Sequence, residues 1–150
     1  MALISEAGLL LVVDDGHTLA RQAARVGIPQ KRLRIVNSGL FKDHIDALAA
    51  ASVAVIPRQA LPGFPMKLLN HLALGVPTVA IGDSAVPLGG VHAADGNGPQ
   101  ALARALREVL SSEPLRLQLS DSARLAARHL DWKGRARELQ RFVERVSREA

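Results

Sequence analysis

The chain has 150 residues, 48% of them hydrophobic, and no cysteine; this is one domain's worth of material with enough apolar mass for a core. A disulfide-stapled scaffold and a cysteine-ligated zinc site are excluded. Nineteen basic residues against fourteen acidic ones leave a formal charge of +5, yet aromatics are only 3%, too few for the stacking platforms of single-stranded nucleic-acid binders, so no nucleic-acid partner is expected.

No apolar run approaches the roughly 20 residues that span a bilayer. The opening Met1-Ala2-Leu3-Ile4-Ser5-Glu6 carries an early acid and no basic stretch, unlike a secretory leader. The expectations are no transmembrane segment and a cytoplasmic location.

Along the chain, short apolar runs bounded by Gly, Pro or Asp alternate with longer segments of helical period. Leu9–Val13 reads as a buried strand closed by Asp14-Asp15-Gly16. A helix over His17–Val26 follows, with Ala20, Ala23 and Ala24 on one face and a stop at Gly27 and Pro29. Leu33–Val36 is a second strand, closed by Asn37-Ser38-Gly39, and Asp43–Ala51 a helix with Ile45, Leu48 and Ala49 inward. Val53–Ile56 is a third strand, stopped by Pro57. Pro65–Leu74 is a helix with proline in its first turn, where a missing N–H costs nothing. Gly75 suits its C-terminal cap, and Pro77 bars continuation. Thr78–Ile81 and Val91–Ala94 are the fourth and fifth strands.

Past Asn97-Gly98-Pro99 the pattern is helical throughout: Gln100–Leu110, about 115–130 and about 134–147. The basic excess gathers there, but Glu138 with Arg141 and Glu144 with Arg148 stand at helical spacing, as on a solvated helix face. Alternating strands and helices indicate βαβ units, hence an α/β fold with an open parallel sheet of about five strands and helices on both faces. One Rossmann-like domain over residues 1–150 is expected, with a helical C-terminus.

In such a sheet, ligands bind beyond the carboxyl ends of the strands. That selects the loops 14–16, 37–39, 57–64 and 82–90. The third leaves a buried strand and enters a helix whose unpaired N–H groups and partial positive charge suit a phosphate. Gly63 admits close backbone approach, and Lys67 adds a full charge. A tight turn with a solvated lysine explains the same residues equally well. Asp14-Asp15 can hold a divalent ion or a ribose hydroxyl, or simply cap the next helix. The five histidines share no metal-ligand spacing, and Ser38 and Ser84 lack the G-x-S-x-G elbow of a nucleophile. The G-x-G-x-x-G dinucleotide fingerprint is also absent.

The run ALAAASVAVIPRQALPGFPMKLLNHLALGVPTVA from Ala47 resembles the nucleotide-sugar half of retaining GT-B fold glycosyltransferases of family four. The shared features are a strand ending in Pro, a Gly-Phe-Pro turn, a Lys-Leu-Leu helix and a Gly-x-Pro-x-Val strand. LLLVVDDG and RLRIVNSG fit the two preceding strands, and the segment from Gly98 to Trp132 is similar to the closing helices. The resemblance implies a domain that binds the donor, a UDP- or GDP-sugar used as substrate, with no other cofactor. It places Arg58, Gly63, Phe64, Met66, Lys67, Leu68 and Asn70 beside the diphosphate and sugar. Ser38, Gly39 and Pro57 fall on the nucleoside side.

The departures have consequences. The two glutamates that family carries around this turn correspond here to Pro62 and Asn70, and charge-assisted hydrogen bonds are roughly twice as strong as neutral ones. Against the family pattern the chain begins inside the first helix, at Ala2–Ala7. This implies an N-terminal acceptor-binding domain or a second chain as partner, and no complete catalysis by the chain alone. With its first strand missing, the sheet is expected to close in the order 2-1-3-4-5. The alternative function is a non-catalytic interaction domain that kept the fold. LLLVVDDG also looks like the start of a phospho-receiver, but the third strand ends in Pro57 and no Asp lies between Asp46 and Asp83, which excludes that activity.

Overall fold

A computed structural model describes residues 9–12, 16–36, 40–57, 63–130 and 132–149. The chain divides into two compact units, residues 1–52 and 53–150.

In the first unit, β1 (Leu9–Val12) pairs in parallel with β2 (Leu33–Val36), Leu9 opposite Leu33 and Val12 opposite Val36. The crossover is α1 (Gly16–Arg25). Its end is set by Gly27 at φ 76°, with Ile28 N–H on the Ala23 carbonyl at 2.9 Å and Gly27 N–H on that of Ala24 at 3.1 Å. This paired closure satisfies carbonyls a helix end would otherwise orphan. A single 3₁₀ turn, Gln30–Arg32, leads into β2, and α2 (Phe41–Ala49) follows it. Ala23 is buried on α1 while Ala24 is exposed; on α2 Ala47 is buried and Ala49 exposed. Ala23 is thus inward as the periodicity suggested, and Ile45 and Leu48 are half-buried, whereas Ala24 and Ala49 face outward, because alanines fit either face and mark none.

The second unit holds the larger core. β3 (Ala54–Ile56), β4 (Thr78–Ala80) and β5 (Val91–Ala93) form a parallel sheet in the order 3-4-5. Ile56 stands opposite Ala80, and Ala80 opposite Ala93. All three residues of β4 are buried, as expected of a central parallel strand covered on both faces. Its side chains alternate between two cores. Ala80 packs with Ile56, with Leu68 and Leu72 of α3 (Met66–Leu74), and with Ala123 of α5 (Glu113–His129). Val79 points the other way, onto Ala105 and Val109 of α4 (Pro99–Ser111). The last helix is α6 (Trp132–Glu149).

Glycines let α5 approach the sheet closely. A Cβ at Gly89 would stand 2.6 Å from the Ser122 carbonyl oxygen, and one at Gly90, whose φ is 87°, would collide with Ala123. The Ser120 hydroxyl donates to the Gly75 carbonyl at 2.7 Å. The α/β class and parallel pairing agree with the sequence. The single five-stranded sheet does not form: hydrogen bonding joins the strands as β1–β2 and β3–β4–β5. β3 is paired on one edge, with β4, whereas the equally short β4 is paired on both. Among the described residues no helix is long and apolar enough to cross a membrane.

Candidate functional site

The carboxyl edge of the three-stranded sheet is where β3 hands over to α3. Pro57 follows β3 and is exposed. Gly63 adopts φ 95°, a conformation that favours glycine, and nothing lies within 4 Å of where its Cβ would be. A ligand therefore meets bare backbone there. Phe64 is 43% exposed and Met66 63%, and Lys67 is exposed as well.

Pro65 takes the N-cap position of α3, and no side chain caps the helix. Proline supplies neither a capping oxygen nor an N–H, so the orphan donors of this first turn have no local acceptor of the usual kind. The Leu68 amide turns back onto the Pro65 carbonyl at 2.8 Å; for those of Met66 and Lys67 no acceptor occurs among the described residues. The first turn holds no acidic residue, and among the described residues no carboxylate pairs with Lys67. The partial positive charge of the helix end and the lysine ammonium thus add at one exposed point.

Behind this turn the side chains belong to the core. Leu68 has no exposed surface and packs on Ile56, Leu72, Ala80 and Ala123. It holds the turn in place, and it presents neither side chain nor amide to a ligand. Asn70 is half-buried. His71, one turn beyond Lys67, is buried. The Thr78 hydroxyl donates to the Val76 carbonyl at 3.2 Å, leaving its oxygen to accept from His71 Nδ1 at 3.1 Å. Burial first, and then the charge of Lys67, push the His71 pKa down to about 4. The imidazole is neutral near pH 7 and links α3 to β4.

Ser84 closes the neighbouring loop. Its Oγ lies 2.6 Å from the Ile81 carbonyl and 3.1 Å from that of Ile56, which ties the 3₁₀ turn Gly82–Ser84 to the end of β3. A buried hydroxyl committed to carbonyls is a strut and no nucleophile. Sequence reasoning missed this strut, since a serine in a glycine-bounded loop carries no sign of a partner 28 residues away. Among the described residues no three His, Asp or Glu side chains gather as a metal site would need.

The structure thus brings Gly63, Phe64, Met66 and Lys67 to one exposed helix entrance, with Asn70 one turn behind. Ser38, Gly39 and Arg58 lie outside the described residues, as do Asp14, Asp15 and Pro62. What the arrangement offers is anion binding by main-chain amides and one ammonium group, beside an exposed aromatic ring.

A search of curated proteins found no match to the chain. Residues 2–112 match the family described as glycosyl transferases group 1. That span runs through β1 to β5 and α4, and includes the β3–α3 turn. The chain accordingly belongs to the group 1 glycosyl transferases, a family whose chemistry is sugar transfer.

Proposed function

We propose that the chain is the nucleotide-sugar donor-binding domain of a family-four type glycosyltransferase, with the donor diphosphate seated at the start of α3. The observation that carries this reading is the first turn without a side-chain cap, where Met66 and Lys67 are exposed residues beside Gly63. Gly63 lets the pyrophosphate reach the backbone. Phe64 and Met66 offer apolar surface to the sugar, and Pro57 flanks the same edge.

Sugar transfer breaks the bond between the anomeric carbon and the β-phosphate oxygen. A new bond forms to an acceptor oxygen, which gives up its proton. The departing nucleoside diphosphate gains negative charge, so donors aimed at it favour the transition state more than the ground state. The amides of α3 and Lys67 would fill that role. No residue of this chain is assigned as general base or nucleophile. With Pro62 and Asn70 at the two carboxylate positions of the family pattern, donor affinity is expected in the micromolar to millimolar range, weaker than two charge-assisted hydrogen bonds would give.

Calorimetry with UDP, GDP and their sugars tests the reading. One of them should bind, and Lys67→Ala should weaken it about tenfold, the worth of one charge-assisted hydrogen bond. Absence of heat with every nucleotide diphosphate would overturn it. The same Pro62 and Asn70 favour a second reading, a non-catalytic interaction domain. Capture of a protein partner with equal strength by wild type and Lys67→Ala, with or without nucleotide, would support that instead.

A further inference from the structure

Outside the matched span lies α6, and it is the least accounted-for element of the second unit. Every residue from 132 to 148 except Gly134 is exposed. The helix is nonetheless strongly two-faced. At about 100° per residue, Trp132, Ala136, Leu139, Phe142, Val143 and Val146 fall within one arc of about 120°, which Arg135 enters near one edge, between Phe142 and Val146. Arg137, Arg141, Arg145 and Arg148 fall on the opposite side. Trp132 is 85% exposed, Leu139 64%, Phe142 53% and Val143 52%. An exposed apolar strip of this kind, bordered by arginine, marks an interaction surface.

We infer that α6 is an interfacial helix that lies on an anionic lipid surface. Three observations select this occupant. The helix carries six basic residues and only three acidic ones, the charge balance that complements anionic headgroups. One acid, Glu138, is already paired with Arg135 at 2.8 Å, and another, Glu144, accepts from Gln140 at 2.9 Å. The strip also has no polar residue along its centre, from Trp132 through Ala136, Leu139 and Val143 to Val146, that would give a protein partner a register. Finally, Trp132 at one end and the Arg145 guanidinium 5.5 Å from the Phe142 ring centroid are amphipathic groups suited to the headgroup level.

A second copy of the chain fits less well. In a heptad reading with Ala136 and Val143 at a, and Trp132, Leu139 and Val146 at d, the flanking positions hold Lys133, Gln140 and Ser147 on one side. Arg135, Phe142 and Glu149 stand on the other. In a parallel pair these do not face one another as opposite charges, and two net-positive helices repel.

The test uses Trp132, the chain's single tryptophan. Its emission is recorded with vesicles of equal phosphatidylglycerol and phosphatidylcholine, and with phosphatidylcholine alone, at about 0.1 M salt where screening is moderate. The expected result is a blue shift and co-sedimentation with the anionic vesicles only. The double variant Arg137→Gln/Arg148→Gln should lower that binding about fivefold per charge. Leu139→Ser/Val143→Ser should abolish it while leaving the circular dichroism of the fold intact, because both side chains are exposed and belong to neither buried cluster. No response to anionic vesicles, or an equal response to phosphatidylcholine, would overturn the assignment. So would a shift that grows with protein concentration alone, the sign of a second copy, or an equal response to soluble polyglutamate, the sign of an acidic peptide.

Discussion

Two amphipathic helices of the second unit, α3 and α6, meet opposite fates. α3 buries Leu68, His71 and Leu72 between β4 and α5, and leaves only its first turn open. α6 has the longer apolar strip and buries none of it. Periodicity announces that a face has to be covered, but it does not say by what. In α3 the cover is the chain's own sheet, so the helix is rigidly placed and its entrance can serve as a binding point. For α6 no cover occurs among the described residues.

That contrast can be broken by truncation. Leu72→Ala removes a side chain with no exposed surface and should cost about 2–5 kcal/mol of unfolding free energy. Leu139→Ala, the same chemistry on α6, should stay within about 0.5 kcal/mol. Urea unfolding of both variants checks this, and equal losses would mean that α6 is packed in solution.

A smaller effect sharpens it through pH. His71 has its pKa pushed down to about 4 in the folded chain, against about 6.5 when unfolded. Above the unfolded value both states are neutral and the full stability is present. As pH falls from there towards the folded value, only the unfolded state takes up the proton. Stability should then decline by about 1.4 kcal/mol per pH unit, on the order of 3 kcal/mol in all. His71→Gln should flatten that slope in urea midpoints taken between pH of about 7 and 4. An unchanged slope would place the acid sensitivity elsewhere. The smallest effect concerns the open turn: Lys67→Ala should leave stability within about 0.5 kcal/mol, since its side chain is exposed, and act on ligand affinity alone.

The elements themselves were legible because their stops are chemical. Gly75 ends α3 at φ 68°, with Val76 N–H on the His71 carbonyl at 2.9 Å and Gly75 N–H on that of Leu72 at 3.0 Å, and the glycine in the sequence announced it. The near-continuous apolar run at Thr78–Ile81 announced a strand covered on both faces. Division into two sheets was not legible, since an apolar run marks a strand but does not say which strand lies against each of its edges. At the site, Gly63 and Lys67 could be read from the turn, whereas Leu68 came from a motif resemblance that does not separate residues touching a ligand from those holding the turn. The neutral state of His71 and the strut at Ser84 arise from burial and from carbonyls distant in sequence, and no local pattern reports either.

The central claim is that the entrance of α3 grips a diphosphate through its main chain. Backbone amide shifts recorded by nuclear magnetic resonance during titration with UDP and with GDP test it most directly. For one of the two nucleotides, the Met66 and Lys67 resonances should move saturably while those of Leu139 and Val143 stay fixed. Stationary Met66 and Lys67 signals with both nucleotides, or movement confined to α6, would contradict the account.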